Sequence, residues 1–344
     1  MAPPPAVNPQ ARVIAPRRAT PAELWERIRH GDRVALAQGI TLVESLRPAD
    51  RELARKLVSL CAPLAGRAWR IGITGVPGVG KSTFLEALGM HLCADPARRI
   101  AILAIDPSSE LTGGSILGDK SRMERLTRTE QAFIRPSPTR GTLGGVSRWT
   151  REVLILCEAA GYDPIFVETV GVGQSEIGVE RLVDSVLVLM LTGAGDALQG
   201  IKRGLMEIGD VFAVTKADGS NLDRAQVTAQ SLRGSLALMP PRRCRMPDES
   251  MVRICSAAET TGIAEVWESL QKHREVCEFL GELHKKRVAQ AQEWLREDVT
   301  ESIGTRVAAH PVVRARLKAA EELLLEGKLP PLLAQWVVEG FPWE

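Results

Sequence analysis

Gly75-Val76-Pro77-Gly78-Val79-Gly80-Lys81-Ser82 spells GxxxxGK[ST], placed between an apolar run at Arg70–Thr74 and an amphipathic stretch at Lys81–Cys93. Strand, glycine-rich turn and helix in that order make a phosphate cradle. The glycines let backbone N–H groups curl round an anion, and the helix N-terminus adds a favourable dipole. In such a loop Lys81 reaches the β- and γ-phosphates of a nucleoside triphosphate, and the Ser82 hydroxyl, with Thr83 beside it, faces a magnesium ion. Val76 stands where partition-type ATPases of this loop class carry a second lysine, which argues against that branch.

Outward from this loop the chain alternates short apolar runs with amphipathic ones. Strands are predicted at Arg70–Thr74, Ile100–Ile105, Ala132–Arg135, Pro164–Glu168, Ser185–Leu191, Val211–Thr215 and Val252–Cys255. Helical patterns at Lys81–Cys93, Gly144–Ala160 and Arg224–Leu238 lie between them. Buried strands alternating with helices predict an α/β fold: a mostly parallel P-loop NTPase sheet with helices on both faces. Before it, Thr20-Pro21-Ala22-Glu23 reads as a helix start, and helical patterns run to about Cys61 with breaks at Gly31-Asp32 and Arg47-Pro48. After Gly262 strand signals cease, and helices follow, the first running from Ile263 towards Ala309. The expected organisation is a disordered tail at 1–19, an N-terminal helical segment at 20–66, a P-loop domain at 67–272 and a C-terminal helical arm at 273–344.

Two further strand ends carry chemistry. Pro164-Ile165-Phe166-Val167-Glu168 ends in a carboxylate suited to hold magnesium or its water shell, and Gly171 in the sequel brings a backbone N–H towards a γ-phosphate. Asp106, at the end of the Ile100 run, and Asp119 beyond it are further acids able to face the metal; each also reads as a turn or helix cap. Val211–Val214 leads into Thr215-Lys216-Ala217-Asp218, a variant of the NKxD signature. Asp218 can accept both the N1–H and the 2-amino group of guanine, an arrangement adenine does not satisfy. The Lys216 stem packs over the base, and Ser256-Ala257-Ala258, after the last strand, supplies further backbone contacts. GTP is the predicted nucleotide.

Composition excludes other classes. With 44 Lys+Arg against 42 Asp+Glu the net charge is +2, which argues against a broad nucleic-acid surface. The longest strongly apolar run, Val186 to Leu191, is far below a membrane span. Residues 1–19 lack the apolar stretch of a secretory signal. Six cysteines without a CxxC pair read as reduced thiols in a cytoplasmic protein.

Together these residues resemble the methylmalonyl-CoA mutase-associated GTPases of the MeaB/ArgK type. The resemblance rests on Gly75–Thr83, Asp106–Ser109 with Gly113–Met123, Arg135–Gly145, Glu168–Glu176, Gly193–Lys202 and Thr215–Asp218, and it spans essentially the whole chain. It implies a GTPase chaperone that couples GTP binding and hydrolysis to adenosylcobalamin loading and protection of an acyl-CoA mutase, with methylmalonyl-CoA mutase the leading client. It implies a homodimer built through the C-terminal arm. By motif it places Asp106, Asp119 and Glu168 round magnesium, and makes Arg122 and Lys202 candidates for charge stabilisation. Ala197 departs from the glutamate expected in the Gly193–Lys202 loop. Gln174 is the candidate for orienting the attacking water. One alternative is a nucleoside-triphosphate-dependent kinase or ATPase linked to arginine/ornithine transport, marked by ATP preference. Another is a nickel-handling GTPase, against which the five unclustered histidines speak. A third is a nucleotide-responsive binding module whose function is indifferent to hydrolysis.

Overall fold

The computed structural model describes residues 18–106, 123–138, 148–169, 175–193, 203–240, 244, 251–325, 327 and 330–342. Its centre is a seven-stranded sheet in the order β3-β2-β4-β1-β5-β6-β7, every pair parallel. The strands are β1 Arg70–Gly75, β2 Ile100–Asp106, β3 Ala132–Pro138, β4 Ile165–Thr169, β5 Ser185–Leu191, β6 Val211–Thr215 and β7 Val252–Ile254. β1 lies in the middle, so the loop that follows it opens at the C-terminal edge of the sheet between β4 and β5.

The two faces are covered by different elements. Ile71 and Ile73 of β1 join Phe84, Leu85 and Leu88 of α4 (Lys81–Leu92) and Val266 and Leu270 of α10 (Ile263–Phe279) in one core. Gly72 faces the other way, where a Cβ would stand 3.1 Å from methyls of Val179 and Val183. That second core takes in α6 (Arg148–Ala159), α7 (Ser175–Glu180), α9 (Leu222–Ala237) and an N-terminal trio: α1 (Pro21–Ile28), α2 (Arg33–Val43) and α3 (Pro48–Cys61). α5 (Glu124–Thr127) and α8 (Arg203–Ile208) are short connectors.

The trio begins as its sequence dictates. Thr20 and Glu23 form a reciprocal capping box, and the Asp32 carboxylate accepts from Val34 and Ala35 N–H to start α2. Leu36, Ile40 and Leu57 are fully buried against the α6 side. Arg18 reaches back to pair with Asp50, and Arg135 of β3 pairs with Glu44.

Three differences from the sequence expectation have a clear physical reason. β3 runs on to Pro138, because an edge strand leaves one row of N–H groups without a ladder partner and so tolerates Pro136 and Pro138. β4 starts at Ile165 rather than Pro164, which has no N–H to give, and extends to Thr169. The helix expected from Ile263 towards Ala309 is two helices: Gly281, with φ +66°, separates α10 from α11 (Glu282–Ala309). α12 (Pro311–Leu325) and α13 (Pro330–Val338) complete the arm. Among the described residues no helix is long and apolar enough to cross a membrane.

Candidate nucleotide-binding site

The loop after β1 is built for close backbone approach. Gly75 has φ +150°, and a Cβ there would fall 2.4 Å from the Leu189 carbonyl oxygen of β5, so only glycine fits. Gly80 caps α4 in the left-handed region, φ +93°, with no side-chain cap on the first-turn N–H groups. Those donors are left for an anion. Val79 is buried and anchors the loop, while Val76, Pro77 and Gly78 form its outer rim and Thr83 lies exposed in the first helical turn. Lys81 Nζ donates to the carbonyls of Gly75 (2.9 Å) and Val76 (3.4 Å), which lays its side chain across the loop.

The acid of β4 stands beside this loop. The Ser82 hydroxyl donates to Glu168 Oε1 at 3.0 Å, with both residues buried. Hydroxyl and carboxylate oxygens are hard donors of the kind magnesium takes, completed by water and phosphate oxygens rather than by an all-protein cage. The Ser82–Glu168 pair therefore fits that ion. Among the described residues no group of three or more His, Cys, Asp or Glu side chains is placed to hold a metal by itself. Asp106 closes β2 in register with Pro138, but its side chain is not among those described. Asp119, Arg122, Gly171, Gln174 and Lys202 lie outside the described residues.

On the other flank β6 delivers Thr215–Asp218, the segment expected to read the base. The Thr215 hydroxyl bonds the Val79 carbonyl (2.8 Å) and lies 3.2 Å from the Met190 carbonyl. It thus ties the base loop to both the phosphate loop and β5. Lys216 has φ +58°, and its Cε lies 3.9 Å from where a Gly80 Cβ would be, so its stem runs over the phosphate loop. Ala217 N–H is held by the Cys255 carbonyl at 3.2 Å. Burial pushes the Cys255 thiol up to about 12, leaving it neutral and structural.

One contact was not foreseen from sequence. Ser256 is fully buried, and its hydroxyl donates to Asp218 Oδ2 at 2.9 Å while accepting from Glu259 N–H at 3.2 Å. Its own backbone is closed by a reciprocal pair with Thr261, at 2.9 and 3.0 Å. Ser256 therefore aims the carboxylate as well as shaping the loop that carries Ala257 and Ala258. A serine just beyond the last strand was the available signal.

A phosphate cradle, a metal-competent pair and a hydrogen-bonded carboxylate thus lie along one sheet edge. The family described as Methylmalonyl Co-A mutase-associated GTPase MeaB matches residues 36–312. This chain belongs to that family. It is 49% identical over 309 residues to "Probable GTPase Rv1496" of Mycobacterium tuberculosis, covering 89% of this chain and 90% of the relative. It is 46% identical over 287 residues to "GTPase ArgK" of Escherichia coli, covering 83% and 85%. Against "Methylmalonic aciduria type A homolog, mitochondrial" of Mus musculus it is 41% identical over 311 residues, 88% of this chain and 74% of the relative. The crystal structure of a protein named LAO/AO transport system kinase superposes with a TM-score of 0.71 at 36% identity, covering 94% of this chain and 98% of that one. The MeaB-family chain described here is thus a GTPase on a P-loop α/β fold with added helices at both ends.

Proposed function

We propose that this GTPase couples GTP binding and hydrolysis to adenosylcobalamin loading and protection of an acyl-CoA mutase, methylmalonyl-CoA mutase first among clients. The observation that carries the reading is the Asp218 carboxylate, aimed by Ser256 and tied through Thr215 to the phosphate loop, in a chain that matches the mutase-associated family over residues 36–312. The mouse relative named for methylmalonic aciduria supports the same client.

In this reading residues 20–66 brace the sheet, 67–272 hold the nucleotide, and 273–344 form the arm through which two copies pair. Gly75–Thr83 wrap the phosphates, with Lys81 neutralising charge as the leaving GDP separates. Magnesium, when bound, would withdraw charge from the phosphate oxygens. Ser82 and Glu168 would hold it, with Asp106 and Asp119. Arg122 and Lys202 stabilise charge on the transferring phosphoryl group, Gln174 orients water, and Gly171 contributes its N–H. Thr215, Lys216, Asp218 and Ser256–Ala258 select guanine.

The test is turnover of GTP and of ATP by the purified protein, alone and with methylmalonyl-CoA mutase in apo and cofactor-loaded forms. Acceleration by the mutase, confined to GTP, is the expected result. Slow GTP turnover indifferent to the mutase removes that client. The structural neighbour named as a LAO/AO transport system kinase keeps a second reading, a kinase or ATPase linked to arginine/ornithine transport, and preference for ATP would favour it.

A further inference from the structure

Trp69, Arg98 and Asp163 stand just before β1, β2 and β4, three strands that are neighbours in the sheet. They therefore lie at the sheet edge opposite the phosphate loop, about 20 Å from it along the length of β1. α10 supplies the facing wall. Trp267, Gln271, Arg274 and Glu275 recur along it at helical spacing and share one side. These side chains line a cavity of about 290 Å³, at the small end of the range of ligand pockets.

The lining is aromatic and charged. The Trp69 and Trp267 rings lie 5.2 Å apart, and both side chains are buried. Arg274 stacks over Trp69 at 5.3 Å and is paired with Glu278 at 2.7 Å. Arg98 stacks over Trp267 at 5.6 Å and has no carboxylate partner among the described residues. An indole covers the flat side of a guanidinium and leaves its in-plane N–H donors available. Asp163 accepts the Trp69 N–H through Oδ1 at 2.9 Å. Its other oxygen and the exposed Glu275 carboxylate have no hydrogen-bond partner among the described residues. Unpaired groups of both signs thus face one small space.

That inventory narrows the ligand. Two guanidiniums against three carboxylates leave the lining net negative, which disfavours phosphate and other dianions. The indoles already carry guanidiniums, which disfavours a cationic side chain. A single carboxylate suits Arg98, an ammonium suits Asp163 and Glu275, and an apolar body suits the two indoles. We propose that this cavity is a second binding site, for a small zwitterion: an amino acid with an aromatic or branched apolar side chain. Arg98 takes its carboxylate, and Asp163 and Glu275 take its ammonium. The site is separate from the nucleotide site and independent of the proposed client.

The test is a ligand-observed NMR titration of the full chain, with and without saturating GDP. The probes are L-phenylalanine, L-leucine, 3-phenylpropanoate, which lacks the ammonium, and phenethylamine, which lacks the carboxylate. Saturable millimolar binding of the two amino acids is expected, unchanged by GDP. The two truncated probes should bind about ten-fold more weakly or worse, the worth of one charge-assisted hydrogen bond. Arg98→Met keeps an apolar stem against Trp267 and removes the fork. It should weaken L-phenylalanine on the order of ten-fold with the GDP Kd held, and Glu275→Gln should weaken it roughly five-fold. No binding by either amino acid overturns the proposal. So does competition by GDP, equal affinity for either truncated probe, or binding that Arg98→Met leaves unchanged. Should Arg98→Met fail to fold, unchanged affinity in Glu275→Gln, at an exposed position, overturns it by itself.

Discussion

At the scale of single residues, the proposed selectivity for guanine turns on how Asp218 is held. The buried Ser256 hydroxyl donates to its Oδ2 at 2.9 Å, which limits rotation of the carboxylate while both oxygens keep lone pairs for further donors. Ser256→Ala is expected to weaken GTP binding by roughly five-fold while leaving ATP binding unchanged, read by competition against a fluorescent guanine nucleotide. Asp218→Asn should do more, since it replaces an acceptor by a donor facing N1–H: affinity for GTP falls on the order of a hundred-fold and xanthosine triphosphate becomes the better ligand. GTP affinity untouched by Asp218→Asn would remove Thr215–Asp218 from the base site. The buried thiols make a separate residue-scale prediction. Burial holds Cys61 and Cys255 up to about 12 and raises Cys157 as well, so at neutral pH all three stay protonated and unreactive. Alkylation of the native protein followed by peptide mapping should leave them unmodified, and label only after unfolding.

At the scale of elements, each helix start has its own chemistry, and Asp32 shows it best. The N–H of Ala35, then the Arg27 guanidinium, hold the Asp32 carboxyl below its ordinary value of 3.8. A carboxyl with a lower pKa in the folded state than in the unfolded one stabilises the fold fully above the unfolded value. That contribution is lost as pH falls through the folded value. Asp32→Ala should therefore cost about 1 kcal/mol at neutral pH, with the gap between parent and variant melting temperatures closing as pH drops below 3.8. A gap constant with pH would mean the cap contributes through something other than its charge. The break at Gly31-Asp32 was legible in the sequence, as were strands that follow simple period and punctuation: β1, β5 and β6 match their apolar runs to within a residue. What was not legible depended on neighbours. Pro136 and Pro138 read as strand breakers, and only the edge position of β3 makes them admissible. Gly281 lies within a continuous helical pattern, and its left-handed φ marks the glycine just past the end of α10. The P-loop, Glu168 and Asp218 could be read because their motifs are local. Ser256 on Asp218, and the Gln290 amide on the Glu180 carbonyl that ends α7, join residues far apart in the chain, and such pairs have no spacing to read.

At the scale of the whole molecule, the arm has little reason to extend from a lone copy. α11 buries one residue along 28 and leaves Leu295, Val299 and Ile303 64%, 48% and 48% exposed at successive four-residue steps. Side chains so spaced share one helix face; on α12, Val312 and Leu317 are also exposed, at 45% and 46%. Isolated exposed aliphatics are ordinary, but a row of them along one helix face is what a second copy of the same helix would cover. The proposed homodimer therefore predicts a solution mass near twice 37.4 kDa by light scattering at micromolar concentration. Val299→Glu together with Ile303→Glu would place two carboxylates in each copy's contact face. Burying unpaired charge is costly enough to raise the dimer dissociation constant on the order of a hundred-fold or more. Both residues lie on α11, outside the phosphate loop and the Thr215–Asp218 segment, so basal GTP turnover should persist in the separated chains. A parent protein that is monomeric at that concentration sinks the pairing. A dimer that survives both substitutions moves it to another face, and Leu317→Glu on α12 is then the variant that decides whether the arm is involved at all.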